Sequence, residues 1–282
     1  MQIPPSISNL IPMTWDQLSI KEKRFVSCFV AYAAGDAFGA FYEFSEISKN
    51  IPNILMKKED WPIGGTSDDT SLTILTLLSL EKSEPSIVSE NFLKLLRSES
   101  ERLRGLGPTT RAALGLPVKE FEQDSVGITN GAMMRTALLG LIYSDREERV
   151  RIVRALAEST HIEFAIEKAI ELSDLFASEG KLLMKSEWQP SSRGVSNEAR
   201  ETFEAVLYVA EKSQSIIEAM RISCALGGDT DTVAALSAAL VASRANQPEV
   251  VFEIPWLAEV DWSGIPAMRE ALKNAFTVMV DA

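Results

Sequence analysis

An all-α fold is what this sequence predicts, on three observations. Apolar residues return at helical spacing along almost the whole chain, as at Leu72, Leu75 and Leu78, at Met134, Leu138, Leu141 and Ile142, and at Val233, Leu236 and Leu240. No stretch alternates polar and apolar residues convincingly enough for a strand. The segments between the periodic runs carry Gly or Pro, which interrupt helices.

In chain order the expected helices run over 20–42, 68–81, 86–104, 109–115, 130–143, 147–158, 161–178, 197–211, 214–226, 230–244 and 265–279. The second begins where GGTSDDTS (64–71) meets the apolar run LTILTLLSL. The fourth is entered through Gly107 and Pro108, with Thr109, Thr110 and Arg111 at its start in a position to contact phosphate or to cap, of which capping is the favoured reading. Thr160 and Glu163 form a capping box that would put His161 in the first turn of the seventh. Gly227 and Gly228 close the ninth, and Asp229, Thr230, Asp231 and Thr232 open the tenth. The loops between them (48–65, 115–129, 180–194 and 246–266) do not read as inter-domain linkers, so residues 1–282 are expected to form one domain.

Composition narrows the function classes. With a net charge of −12 the chain repels phosphate backbones and anionic lipid, which argues against nonspecific nucleic-acid binding. Cys28 and Cys224 both sit in apolar helical runs and read as core residues, a usage that fits a reducing compartment. The first residues carry no basic segment, and the longest membrane-span candidate, Phe25 to Gly35, is about half the length a crossing needs. A cytoplasmic protein with no membrane association is expected.

The chemistry is carried by two acidic helix starts. A helix can use one Asp as a cap, but a second carboxylate beside it gains little and repels the first. Asp68 with Asp69, and Asp229 with Asp231, therefore ask for counter-charge. Oxygen ligands without nearby His or Cys select Mg²⁺, Mn²⁺ or Ca²⁺ over zinc, and two such ions would balance four carboxylates. The solitary His161 also disfavours a zinc site. The stretch SVGITNGAMMR sets Gly127 and Gly131 around Thr129 and Asn130 just before a helix; it reads equally as a phosphate cradle and as a loop capped by Asn130.

The strings GDAFGAFYEF (35–44), TSDDT (66–70), PTTRAALGL (108–116), NGAMMRTALLGL (130–141), STH (159–161) and GGDTDTVAAL (227–236) resemble, in order and spacing, the ADP-ribosylglycohydrolase family. The resemblance runs over about 24–243 and leaves a divergent tail, 244–282. It implies a compact, single-domain, multi-helix fold with a dinuclear metal cleft, and hydrolysis of the bond between the anomeric carbon of ADP-ribose and a modified side chain such as arginine or serine. By the same resemblance two divalent cations, Mg²⁺ or Mn²⁺, are held by Ser67, Asp68, Asp69, Asp229, Asp231 and Thr232. Glu43, Asp69 and Asp231 become the catalytic carboxylates, and Asp36, Gly127, Thr129, Asn130, Gly131 and His161 the substrate-binding set. Asp36 lies seven residues before Glu43, two helical turns away, so both are expected to face one cleft.

Four departures stand out: Ser67 where relatives mostly have Thr, Thr129 where they carry a further glycine, Leu138 where many have Pro, and the SAALVASRANQ continuation after Leu236. The expected partner is an ADP-ribosylated protein or small molecule. Two other readings stay open: a Mg²⁺-dependent nucleotide pyrophosphohydrolase, and a non-catalytic ADP-ribose binder, including an immunity protein that blocks an ADP-ribosylating toxin. Phe41, Tyr42 and Trp61 are candidates for stacking on adenine. The sequence does not fix the oligomeric state.

Overall fold

The computed structural model describes residues 3–80, 84–179, 186–262 and 267–281. Parts of the expected 180–194 loop and the first two residues of the expected 265–279 helix lie outside the described residues. The described residues are mainly helical, with no strand among them beyond two isolated bridges, Thr129 with Glu198 and Val195 with Gly228.

Among the described residues twelve α-helices follow in order: α1 (Pro5–Ser8), α2 (Ile20–Gly39), α3 (Asp68–Ser79), α4 (Pro85–Glu99), α5 (Pro108–Ala113), α6 (Gly131–Thr136), α7 (Arg146–Glu158), α8 (Glu163–Ala177), α9 (Ala199–Lys212), α10 (Ile216–Leu226), α11 (Thr230–Ser243) and α12 (Met268–Asp281). Eleven of them match the helices expected from periodicity, with ends shifted by a few residues. Short 3₁₀ turns at Ala40–Tyr42 and Ala137–Leu141 take up the ends of the expected 20–42 and 130–143 helices.

The molecule is built on α2 and α11, whose mutual contact is the most extensive between any two helices. α2 starts at a capping box: Ser19 Oγ accepts from the Glu22 amide at 3.3 Å, and the Glu22 carboxylate accepts from the Ser19 amide at 2.7 Å. From Phe25 to Gly39 every residue is buried. Gly35 and Gly39 let the two backbones touch: a Cβ on Gly35 would lie 2.4 Å from the Ala234 carbonyl oxygen, and one on Gly39 2.4 Å from that of Thr230. The remaining helices surround this pair, α9 and α10 against α11, and α4, α6 and α12 against α3.

By length and composition Ile20–Tyr42 could cross a membrane, which corrects the half-length reading of Phe25–Gly35. Its most apolar window is 94% buried inside the protein, so it serves as the core helix. Both cysteines are free and buried, as core residues should be.

Candidate active site

The two acidic helix starts meet. Asp68, Asp69, Asp229, Asp231 and Thr232 all line one cleft of about 390 Å³, with Glu43, Thr110, Arg111, Lys119, Glu122, Thr129, Asn130, Gly131 and Asn197 among its other walls. Carboxylate oxygens of Glu43, Asp229 and Asp231 lie within 4.8 Å of one another, close enough to share a cation.

At the first start, capping is done by other groups than the two aspartates. Ser67 Oγ accepts from the Asp69 amide at 3.1 Å, and Asp36, reaching over from α2, accepts from the Ser67 amide at 2.9 Å and the Thr70 amide at 3.1 Å. The Asp68 and Asp69 side chains are thereby released into the cleft. Asp69 Oδ2 is buried and has no hydrogen-bond partner among the described residues. An orphaned carboxylate oxygen beside four further carboxylates is a donor set that fits hard divalent cations. Ser67 is buried under the helix start, outside the cleft lining, whereas Thr232 reaches the cleft.

The second start is held by three distant segments. Gly227, at φ +72°, ends α10; the Asp229 amide donates to the Val195 carbonyl at 2.9 Å, and Thr230 Oγ1 donates to the Gly39 carbonyl at 2.9 Å. Asn130 Nδ2 donates to Asp229 and, at 2.9 Å, to Thr202. Residues 194–199 knit the site together: the Val195 amide donates to Gly227, and the Ala199 amide to Ile128, both across short bridges.

Packing five carboxylates into one buried space opposes their ionisation. Burial first, and Asp231 second, push Glu43 up to about 7, although its ion pair with Lys58 works the other way. Burial raises Asp229 to about 6, and it drives Asp68, Asp69 and Asp231 well above the usual carboxylate range, each further raised by neighbouring aspartates. Protons or cations must therefore occupy the cluster.

Several expected roles change. Asp36 is fully buried and spends both oxygens on the α3 start, so it positions that helix and does not reach the cleft. Glu43 sits beyond α2, after the Ala40–Tyr42 turn, so no shared helix face relates it to Asp36; the chain brings it to the cleft through the Phe44 amide, which donates to the Gly228 carbonyl at 2.8 Å. Thr160 and Glu163 form no capping box, because α8 starts at Glu163 with Ile162 at its cap position and Thr160 is drawn away to Arg135 and the His161 ring.

His161 is buried behind the cleft wall, its Nε2 accepting from the Ala132 amide at 3.2 Å. Burial and the Arg135 charge lower its pKa well below the ordinary value, so the ring is neutral and its Nδ1 proton faces Thr160 Oγ1 at 2.7 Å. Thr109 does not cap α5; its hydroxyl accepts from the Gly127 amide at 2.9 Å and from Thr129 at 2.8 Å. Asn130 makes no side-chain cap either.

Gly131 leaves room for His161, whose Nε2 would sit 3.2 Å from an added Cβ, and Gly127 takes φ +87° beside Ile162. The amides of Gly127, Ile128, Asn130 and Ala132 donate to Thr109, Ser125, Asn197 and His161, so the loop's amides are largely satisfied inside the protein. Thr129, Asn130 and Gly131 still form cleft wall. Trp61 is covered by the ammonium of Lys58 at 4.7 Å and the guanidinium of Arg104 at 5.8 Å, and Tyr42 is buried against Phe38 and Phe41. Lys58 lies in a segment without periodicity and Asn197 at the first position of the expected 197–211 helix, and neither carried a functional signal in the sequence.

Comparison with known proteins adds three findings. The chain is 31% identical over 153 residues to the uncharacterized protein YegU of Escherichia coli (strain K12), a match covering 45% of this chain and 44% of that protein, less than half its length. A solved structure described as an ADP-ribosylglycohydrolase-related protein complex superposes with a TM-score of 0.66 over 93% of this chain and 99% of the other, at 21% identity, a likeness of fold. The sequence model described as ADP-ribosylglycohydrolase matches residues 17–178, which takes in Glu43 and the first acidic start and stops before the second. The chain belongs to the ADP-ribosylglycohydrolase family.

Proposed function

We propose that this chain is a metal-dependent hydrolase that releases ADP-ribose from a modified protein or small molecule by cleaving the glycosidic bond at the anomeric carbon of the distal ribose. The observation that carries the reading is the convergence of Asp68, Asp69, Asp229, Asp231 and Glu43 on one cleft in a chain of this family. Asp68, Asp69, Asp229, Asp231 and Thr232 are the residues that would hold Mg²⁺ or Mn²⁺, two ions by charge balance, with Ser67 below them. When bound, the ions supply charge stabilisation and an acidified water.

The protein's own groups do the rest. Glu43 takes the proton of the attacking water as the new C–O bond forms, and the leaving nitrogen or oxygen receives that proton as its bond to the anomeric carbon breaks. Lys58 keeps that carboxylate pointed at the cluster. Asn130 fixes Asp229, and Asp36 fixes the α3 start, so the ligand oxygens stay in place without substrate.

Arginine-linked, serine-linked and nucleic-acid-linked ADP-ribose, offered with and without chelator, test the reading by product analysis. Free ADP-ribose should form from at least one conjugate, disappear with chelator, and fall roughly a hundredfold or more in Asp69→Asn and Asp231→Asn. AMP and ribose phosphate as products, tight binding without turnover, or full activity in either variant would overturn it.

A further inference from the structure

The continuation SAALVASRANQ, one of the departures from the family pattern, ends α11 at Arg244 and leads into the 3₁₀ segment Pro248–Glu253. There it meets SQSII (213–217), the break between α9 and α10. The two stretches enclose a second cavity of about 300 Å³, walled by Ile216, Ile217, Val241, Ala245, Val250 and Ile254. Asp231 stands at the opposite end of α11, about 20 Å away along the helix, so this cavity is separate from the carboxylate cleft.

Its polar groups are unequally engaged. Ser213 Oγ donates to the Val209 carbonyl at 2.6 Å, and Ser215 Oγ accepts from the Glu218 amide at 3.2 Å, so both hydroxyls serve the local backbone. Arg244, the one cation on the cavity wall, is different. Its Nη1 donates to the Ala210 carbonyl at 2.8 Å, while Nε and Nη2 are shut off from water and have no hydrogen-bond partner among the described residues. A guanidinium that has given up hydration on two nitrogens for a single carbonyl is short of acceptors, and burial lowers its pKa from the ordinary value.

An anion with an apolar body would complete both parts of this wall. The planar head of Arg244 suits a carboxylate, and the aliphatic side chains suit a hydrocarbon. A ligand with a second negative charge would meet Glu253, exposed on the same wall, which favours a monocarboxylate over a phosphate dianion. The volume lies at the small end of the range for ligand pockets, about 300–1,000 Å³, and so limits the length of that hydrocarbon.

We propose that this cavity is a second ligand site, which takes a small monocarboxylate with a short apolar body, its carboxylate on Arg244 and its body against Ile216, Val241 and Ile254.

Calorimetric titration of the full chain with hexanoate, hexanol and hexyl phosphate tests this, in chelator so that no ion in the cleft takes the carboxylate. Hexanoate should bind one to one in about the millimolar range, and the other two about tenfold more weakly or worse. Arg244→Gln should lose about tenfold or more of the hexanoate affinity, and Ala245→Phe, which fills the space, should abolish binding. Folding is checked separately. Arg244→Met without ligand should melt close to the parent, because two unpaired buried nitrogens leave with the side chain, and hexanoate should raise the melting temperature of the parent alone. No heat with hexanoate, hexanol or hexyl phosphate binding as tightly as hexanoate, or undiminished hexanoate affinity in Arg244→Gln overturns the proposal. Since the site shares no residue with the carboxylate cleft, its failure leaves the hydrolase reading standing, and Mn²⁺ should bind Arg244→Gln as it binds the parent.

Discussion

The two acidic helix starts look alike in sequence and are held in opposite ways. The α3 start is secured by its own Ser67 and by a single neighbour, Asp36 of α2. The α11 start has no side-chain cap and leans on Gly39, Asn130 and Val195, from three separate parts of the chain. One half of the site is thus a local structure completed by one tertiary contact. The other half exists only when the whole fold has assembled.

Breaking the second half should cost most. In Gly39→Val the new Cβ would lie 2.4 Å from the Thr230 carbonyl oxygen and 2.5 Å from Asp231 Cα, so the α2–α11 contact must open. A loss of about 3 kcal/mol or more is expected, a fall in melting temperature of roughly 6–12 °C, together with loss of divalent-cation binding by calorimetry. A variant that melts and binds like the parent would show that the second start does not depend on this contact.

A titration sharpens the contrast next. Glu43 and Asp229 have folded pKa values raised to about 7 and about 6, above their ordinary 4.5 and 3.8. Raised acids keep protons that the unfolded chain has lost, so this stability is full below about pH 4 and disappears as pH climbs through 6 and 7. Metal-free protein should melt roughly 5 °C lower at pH 8 than at pH 5, and Mn²⁺ should restore the difference at pH 8. Melting curves that ignore both pH and Mn²⁺ would mean the carboxylates do not share one charge-burdened space. The smallest effect belongs to the first start: Ser67→Ala should cost only about 1 kcal/mol in chemical denaturation, because Asp36 continues to accept from the Ser67 and Thr70 amides. A loss well beyond that would make Ser67, and not Asp36, the main support.

What the sequence disclosed follows the same division. Helix positions were legible because periodicity is a local signal, and the acidic doublets stood out because doubled carboxylates at a helix start conflict with capping alone. The work of Asp36 was hidden, since its partners lie at Ser67 and Thr70. His161 was misread for the same reason: its partners, Thr129 and Ala132, sit on another element, and a capping-box pattern on its own helix gave a competing local answer. The glycines at 127 and 131 read equally as a ligand cradle and as part of a capping loop, and the closeness of Ile162 and His161 to them was hidden because those residues lie on another element. Lys58 and residues 194–196 belong to loops whose conformation no period dictates.

The burial of α2 has an implication for synthesis of the protein. Its helix leaves the ribosome well before its main packing surface, α11 at Thr230–Ser243. A helix apolar enough to enter a bilayer must then wait through translation of the eight described α-helices between them before its companion arrives. Until α11 arrives, the nascent chain carries an apolar surface open to aggregation.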